Sequence, residues 1–405
     1  MNIAVAQSGG PSCAINASLV GVFEEALRFE EIGTIYGSCN GIEGIIQDRV
    51  IDLKTVLHTK NDLELLMQTP ATALGSCRYK MPDFTEHPEI YQAIERCFQR
   101  YHIGCFFYIG GNDSMDTVVK LSRYFAQKQE DIRIIGIPKT IDNDLFFTDH
   151  TPGFGSAAKY LAVTLQEIVR DSAAYNLDSV TIVEIMGRHA GWLTASSCLL
   201  HAIGNQAPHL IYVPEAEFSL EKFLNDVREA KKQTSSVIVA VSEAVSFAEE
   251  EVDSHSCSRA TDAFGHKYLN GIGKRLEEIV RSQIGCKVRS IELNVMQRCS
   301  SHLASKTDLE EAMQIGAAAV RAAMNGETGK MMGFVRVSNT PYAVRIQTVD
   351  AAQVANAEHF LPREWINETQ NNITDDAIPY FLPLIQGELT LKTENGLPKH
   401  ILFPL

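Results

Sequence analysis

The chain of 405 residues sets 36 Lys and Arg against 50 Asp and Glu, a formal net charge of −14, with 45% hydrophobic residues. That length and apolar content can fill more than one core, so two lobes are expected; the negative envelope disfavours nucleic acid and anionic lipid, and an anionic substrate must be gathered by a local basic pocket. No apolar run approaches the ~20 residues of a membrane-spanning helix, residues 2–6 read directly as a strand with no basic or long apolar stretch to direct export, and nine cysteines without a C-x-x-C pair suit free thiols, so a cytoplasmic location is expected rather than disulfides or zinc.

In chain order, a strand is expected at Ile3 to Ala6, then the glycine turn Gln7-Ser8-Gly9-Gly10-Pro11-Ser12, then an amphipathic helix over 14–28 with apolar Leu19, Val22, Phe23, Ala26 and Leu27. Glycines let backbone N–H groups close on an anion, and the helix adds its positive dipole end; a turn of purely steric purpose reads the same way. No G-x-x-x-x-G-K-[ST] loop and no G-x-G-x-x-G occurs, which disfavours P-loop kinases and dinucleotide binders.

The apolar strand Cys105 to Ile109 runs into Gly110-Gly111-Asn112-Asp113-Ser114 and a helix over 114–127. These residues offer phosphate-binding N–H groups beside oxygens suited to a hard cation, with helix capping by Asp113 or Ser114 as the plainer reading. Strand Ile132 to Ile137 leads into Pro138-Lys139-Thr140-Ile141-Asp142-Asn143-Asp144, which gathers a candidate base, a point charge for phosphate and an oriented hydroxyl at one strand end.

A helix over 156–171 precedes strand Val180 to Met186, whose end carries Met186-Gly187-Arg188-His189-Ala190-Gly191-Trp192. Arg188 suits a sugar phosphate there, whereas His189 and Trp192 read as packing residues. Strands Leu210 to Val213 and Val237 to Val241 follow, the latter ending in Ser242-Glu243-Ala244; the acidic stretch 249–253 reads as a solvated loop, and a last strand spans Val288 to Val295. Strands alternating with helices imply an α/β protein with parallel sheets covered on both faces.

Taken together, Ser8-Gly9-Gly10, Gly110 to Ser114, Lys139 to Asp144, Met186-Gly187-Arg188, Glu243 and Gln297-Arg298 resemble the phosphofructokinase family, in register from Ile3 to about Asp350, and specifically its pyrophosphate-dependent branch. The resemblance implies two similar doubly wound, Rossmann-like lobes with the active site in the cleft between them. Residues 1–152 plus about 297–328 would form the donor lobe and 153–296 plus about 329–385 the sugar-phosphate lobe, with 386–405 a C-terminal extension. Asp142 would take the proton from the sugar's 1-hydroxyl, flanked by Thr140 and Asp144. Gly9, Gly10, Gly111, Ser114 and Arg78 would hold the diphosphate. Met186, Gly187, Arg188, Glu243 and Arg298 would hold fructose 6-phosphate, and Arg289 would reach the 6-phosphate of a neighbouring subunit in a homodimer or homotetramer. Mg2+ is the implied cofactor; Asn112 stands at the family's magnesium aspartate, with Asp113 beside it as a second ligand.

ATP-using relatives carry glycine where this chain has Asp113 and Lys139, and pyrophosphate-using ones carry aspartate and lysine. A carboxylate at Asp113 would repel the α-phosphate of ATP, and Lys139 would neutralise the transferring or leaving phosphate. Two further departures sit on the acceptor side: Ser179 replaces a subunit-crossing arginine, and Asn294-Val295-Met296-Gln297-Arg298-Cys299-Ser300 replaces the usual G-[HY]-x-Q-R-G-G. Sedoheptulose 7-phosphate is therefore an alternative acceptor. The rival readings are an ATP-dependent phosphofructokinase and a non-catalytic sugar-phosphate-binding subunit; the intact base speaks against the second.

Overall fold

Ile3, Ala4, Val5 and Ala6 are all fully buried, so the first strand needs cover on both faces. The computed structural model, which describes residues 1–175, 177–247 and 271–405, supplies it. The acidic stretch 249–253 and Cys257 lie outside the described residues.

The chain runs through β1 (Asn2–Gln7), α1 (Ile15–Ala26), β2 (Ile35–Ser38), α2 (Ile42–Ile46), β3 (Val50–Asp52), α3 (Lys60–Gln68), α4 (Pro88–Arg100), β4 (Ile103–Gly110), α5 (Asn112–Lys128) and β5 (Arg133–Pro138). It continues through α6 (Phe154–Ala173), β6 (Ser179–Ile185), α7 (Trp192–Ser196), β7 (Leu210–Tyr212), α8 (Leu220–Lys231), β8 (Ser236–Ser242), α9 (Ile272–Ile284), β9 (Lys287–Glu292), α10 (Met296–Cys299) and α11 (Lys306–Met324). Last come β10 (Lys330–Asn339), β11 (Tyr342–Asp350), α12 (Ala351–Val354), α13 (Ile378–Phe381), β12 (Thr393–Glu394) and β13 (Leu397–Pro398).

Two α/β sheets result. The first has seven strands in the order β11-β10-β5-β4-β1-β2-β3, parallel except where β2 meets β3 and β10 meets β11; the second is the parallel four-stranded sheet β7-β8-β6-β9. Alternate residues of β1 feed opposite layers, with Ile3 and Val5 in one apolar cluster and Ala4 and Ala6 in another. In the second sheet β6 does the same, Val183 and Ile185 facing one cluster and Val180 and Ile182 the other.

Helix α11 packs on α1 closely enough that a Cβ on Gly21 would fall 1.9 Å from Met313 O and one on Gly316 would fall 2.2 Å from Ser18 O. Glycine alone permits that approach. The expected placement of the segment after about 329 in the second lobe is corrected: β10 pairs in parallel with β5 through Lys330↔Ile135, so the β10–β11 hairpin extends the first sheet. The second lobe receives chain again only further on, where Leu361, Ile373, Ala377, Phe381 and Leu384 join its core. The tail docks back on the first lobe: Gln68 Nε2 donates to Lys392 O and Lys399 O, and Ile401 and Phe403 pack on its core.

Candidate active site

Register brings the sequence motifs together. In the first sheet Gln7 pairs with Ile109, Ile109 with Ile137 and Gly110 with Pro138, so the turns after β1, β4 and β5 leave the sheet side by side. From β1 the chain moves outward to β2 and β3, then returns to β4 and β5 on the other side; ligands gather at such a reversal, beyond the carboxyl ends of the strands. In the second sheet Ile185 pairs with Ser242 and Glu184 with Glu292, which levels the turns after β6, β8 and β9. Between the two sets lies an open cleft with a cavity of about 110 Å³.

On one wall, Gly9 adopts φ +76° with its Cα position facing Lys139 Nζ, which a Cβ would approach to 3.2 Å. Gly9 N donates to Cys77 O at 3.2 Å and Gly9 O accepts from Ser76 Oγ at 2.6 Å, fixing the turn beside Arg78. Helix α5 starts at Asn112, so Asp113 and the buried Ser114 stand in its first turn, at the positive end of its dipole. Lys139, only 3% exposed, donates from Nζ to Gly10 O at 2.7 Å. Burial pulls its ammonium down to about 7, with Asp142 and Asp144 opposing and Arg188 and Arg298 reinforcing that fall.

The turn after β5 aims the candidate base. Thr140 Oγ1 donates to Asp142 Oδ2 at 3.1 Å and accepts from Asp142 N at 3.1 Å, locking the carboxylate. Asn143 takes the left-handed conformation at φ +59°; its Oδ1 accepts from Thr151 N at 2.9 Å, and its Nδ2 donates to Tyr380 OH at 2.8 Å. Asp144, half-buried, has its carboxyl raised by desolvation and then by Asp142. The Arg188 guanidinium lies 3.7 Å from Asp142 Oδ2.

On the opposite wall, Glu243 Oε1 accepts from Gly187 N at 3.1 Å and Arg188 N at 3.0 Å, shaping the loop after β6; burial raises its carboxyl to about 7. Gln297 Oε1 accepts from Met186 N at 3.1 Å. Arg298 reaches across so that a Cβ on Gly10 would lie 3.1 Å from its Nη1, and burial, then the Arg78 charge, lower its pKa. Arg78, Lys139, Arg188 and Arg298 thus converge on one cavity whose carboxylates are Asp113, Asp142 and Asp144. Cations crowded at a helix start and two glycine turns make an anion site.

The cavity lining brings together Gly9, Gly10, Arg78, Gly111, Asn112, Asp113, Ser114, Lys139, Thr140, Asp142, Asp144, Met186, Arg188 and Arg298. Three other candidates stand apart from it. Glu243 and Gly187 shape the loop without lining the cavity, and Arg289 lies near the start of β9, 3.3 Å from Asp171 and outside this chain's cleft. Asn112 differs from the expected metal ligand: its Nδ2 donates to Ala357 O and its Oδ1 accepts from Asn356 N. Trp192 is buried as expected, but His189 is exposed, 3.1 Å from Glu358. Ser8, Pro11 and Ile141 also line the cavity; their places inside the motifs were the available signal. Tyr380 and Glu215 carry no local signal at all, since they meet their partners only through the fold.

Fold and site together define a cleft of the phosphotransferase class, with cations at the glycine turns and carboxylates beside them. The chain belongs to the phosphofructokinase family, whose pattern matches residues 2–323. It is 39% identical over 401 residues, covering 98% of this chain and 95% of the other, to a pyrophosphate–fructose 6-phosphate 1-phosphotransferase of Halomonas elongata. It is 33% identical, over 91% of this chain and 92% of the other, to a sulfofructose kinase of Alkalicoccus urumqiensis. A crystal structure of a pyrophosphate-dependent phosphofructokinase from Nitrosospira multiformis is similar at a TM-score of 0.87 with 35% identity, covering 99% of this chain and 95% of that one.

Proposed function

We propose that the protein catalyses reversible transfer of a phosphoryl group from inorganic pyrophosphate to the 1-hydroxyl of fructose 6-phosphate, giving fructose 1,6-bisphosphate and phosphate. The observation that carries this reading is the donor wall: Asp113 in the first turn of α5 and the buried Lys139 line one cavity with Asp142. A carboxylate beside the phosphate turns repels the α-phosphate of a nucleotide, whereas an ammonium there suits a short, highly charged diphosphate.

In this mechanism Ser8, Gly9, Gly10, Gly111, Ser114 and Arg78 hold the diphosphate, and Arg188 and Arg298, with the loop from Met186, hold the sugar phosphate. Asp142, held by Thr140, accepts the proton of the 1-hydroxyl as its oxygen bonds to the incoming phosphorus, and the bond to the departing phosphate breaks in line. Lys139 and the turn amides stabilise the charge that builds on the phosphate oxygens. Among the described residues no group of three His, Cys, Asp or Glu cages a metal. That fits Mg2+, which uses one or two carboxylates and the substrate phosphates. Asp113, which lines the cavity beside the phosphate turns, would hold the ion together with the substrate phosphates, and the ion would neutralise phosphate charge.

Arg289 completes the site of a neighbouring subunit, so the enzyme is a homodimer or homotetramer acting in the cytoplasm. Kinetics with pyrophosphate or ATP against fructose 6-phosphate, sedoheptulose 7-phosphate and the 6-sulfonate analogue test the assignment. Preference for ATP, or no turnover with any pair, overturns it. The sulfonate belongs in the panel because of the sulfofructose kinase relative and the non-standard segment 294–300.

A further inference from the structure

Asn112 opens α5 on the donor wall, yet its side chain turns to the segment that follows α12. Its Nδ2 donates to Ala357 O at 2.7 Å and its Oδ1 accepts from Asn356 N at 2.6 Å. An amide places a donor beside an acceptor, so it pairs with a backbone C=O and N–H as a peptide of a neighbouring strand would. The chain then passes from the first lobe to the second and is pinned at each step. Glu358 bridges Leu145, His359 N donates to Asp144 O at 2.8 Å, and Trp192 Nε1 donates to His359 O at 2.8 Å. Leu361 N donates at 3.0 Å to Glu215 Oε1, which also accepts from Gly191 N at 2.9 Å. Leu361 then enters the second lobe's core.

One segment is therefore hydrogen-bonded to the donor turn at Asn112, to the base turn at Asp144 and to the acceptor loop at Gly191 through Glu215. We propose that 356–361 is a brace that sets the spacing of these three loops, with Asn112 and Glu215 as the positioning residues at its two ends. The inference rests on the cleft being the phosphoryl-transfer site, where reacting atoms must meet at ~3–3.5 Å and a misplacement of ~1 Å costs roughly 10²-fold. It also accounts for asparagine at 112. An aspartate could accept from Asn356 N but would set a carboxylate oxygen against Ala357 O, so the brace excludes the carboxylate that a metal would favour.

The test pairs hydrogen exchange with kinetics on the full-length enzyme. In Asn112→Ala the amides of Asn356, His359 and Leu361 should exchange at least ~10-fold faster without any substrate. In the same variant kcat should fall roughly 10–100-fold, with both KM values within about threefold. Asn112→Asp should fall as far, with no tightening of the Mg2+ half-saturation. The double variant Asn112→Ala/Glu215→Ala should lose less than the product of the single losses, because both act through one element. Unchanged exchange at His359 and Leu361, multiplicative losses, or an Asn112→Asp enzyme that is as active as wild type or binds Mg2+ more tightly overturns the brace. Exchange is read without ligand, so its outcome is separable from a wrong choice of substrates.

Discussion

Replacing Lys139 with methionine keeps a linear side chain of similar bulk and removes the ammonium that donates to Gly10 O. A unit charge pair at ~4 Å and an effective dielectric of ~20 is worth about 4 kcal/mol, so kcat should fall roughly 10³-fold if Lys139 acts on the transferring phosphate. The pH profile gives the sharper readout. In the unliganded enzyme burial lowers Lys139 to about 7, whereas the diphosphate needs the protonated form. The KM for pyrophosphate should therefore be level below pH 7 and rise about tenfold per pH unit above it, and Lys139→Met should lack that rise. Stability should move the other way. Because the folded pKa lies below the unfolded one, the unfolded chain binds more protons between pH 7 and about 10.4, so wild-type stability rises with pH across that window, by at most ~1.4 kcal/mol per unit. Below pH 7 the full cost of the buried charge remains, and Lys139→Met removes it and should be the more stable protein at pH 6. Steady-state kinetics and urea unfolding from pH 6 to 9 measure both. An enzyme within threefold of wild type, or one that keeps the rise in KM, refutes this role for Lys139.

Asp142→Ser should lower kcat by roughly 10²–10⁴-fold while the sugar-phosphate dissociation constant, read by calorimetry, stays within a few-fold; near-normal turnover would remove Asp142 as the base. Asp113→Gly should raise kcat/KM for ATP by at least ~10-fold relative to pyrophosphate, since it removes an anion from the nucleotide's path. An unchanged donor ratio would place the discrimination elsewhere. Tyr380→Phe leaves Asn143 Nδ2 without the hydroxyl that holds it, so urea unfolding should show a loss of ~1–3 kcal/mol. Wild-type stability in that variant would deny Tyr380 a hold on the base turn.

Much of the cleft was legible because its parts are local. A strand ending in glycines, or in Lys139 to Asp144, states its chemistry within a few residues, and the flat register of β1, β4 and β5 then needs only to set such turns side by side. The short strands β2 and β3 and the β10–β11 hairpin were not legible. In β11 burial alternates only between half-buried and exposed over 342–346 and not at all over 346–348, and its membership of the first sheet is decided by pairing between Lys330 and Ile135, nearly 200 residues apart in sequence.

The sequence by itself determined the α/β class, the glycine turns proposed for phosphate, the candidate base with its threonine, and the charges on which the proposed donor preference rests, because each depends on neighbouring residues and on strand ends. Only the tertiary structure decided that Asn112 holds the backbone at 356–357, that Glu243 shapes a loop instead of lining the cavity, that Arg289 lies outside the cleft, and that Tyr380 reaches the base turn. Those are contacts between residues far apart along the chain, and a hydrogen bond of that kind leaves no period or spacing for a linear reading to find.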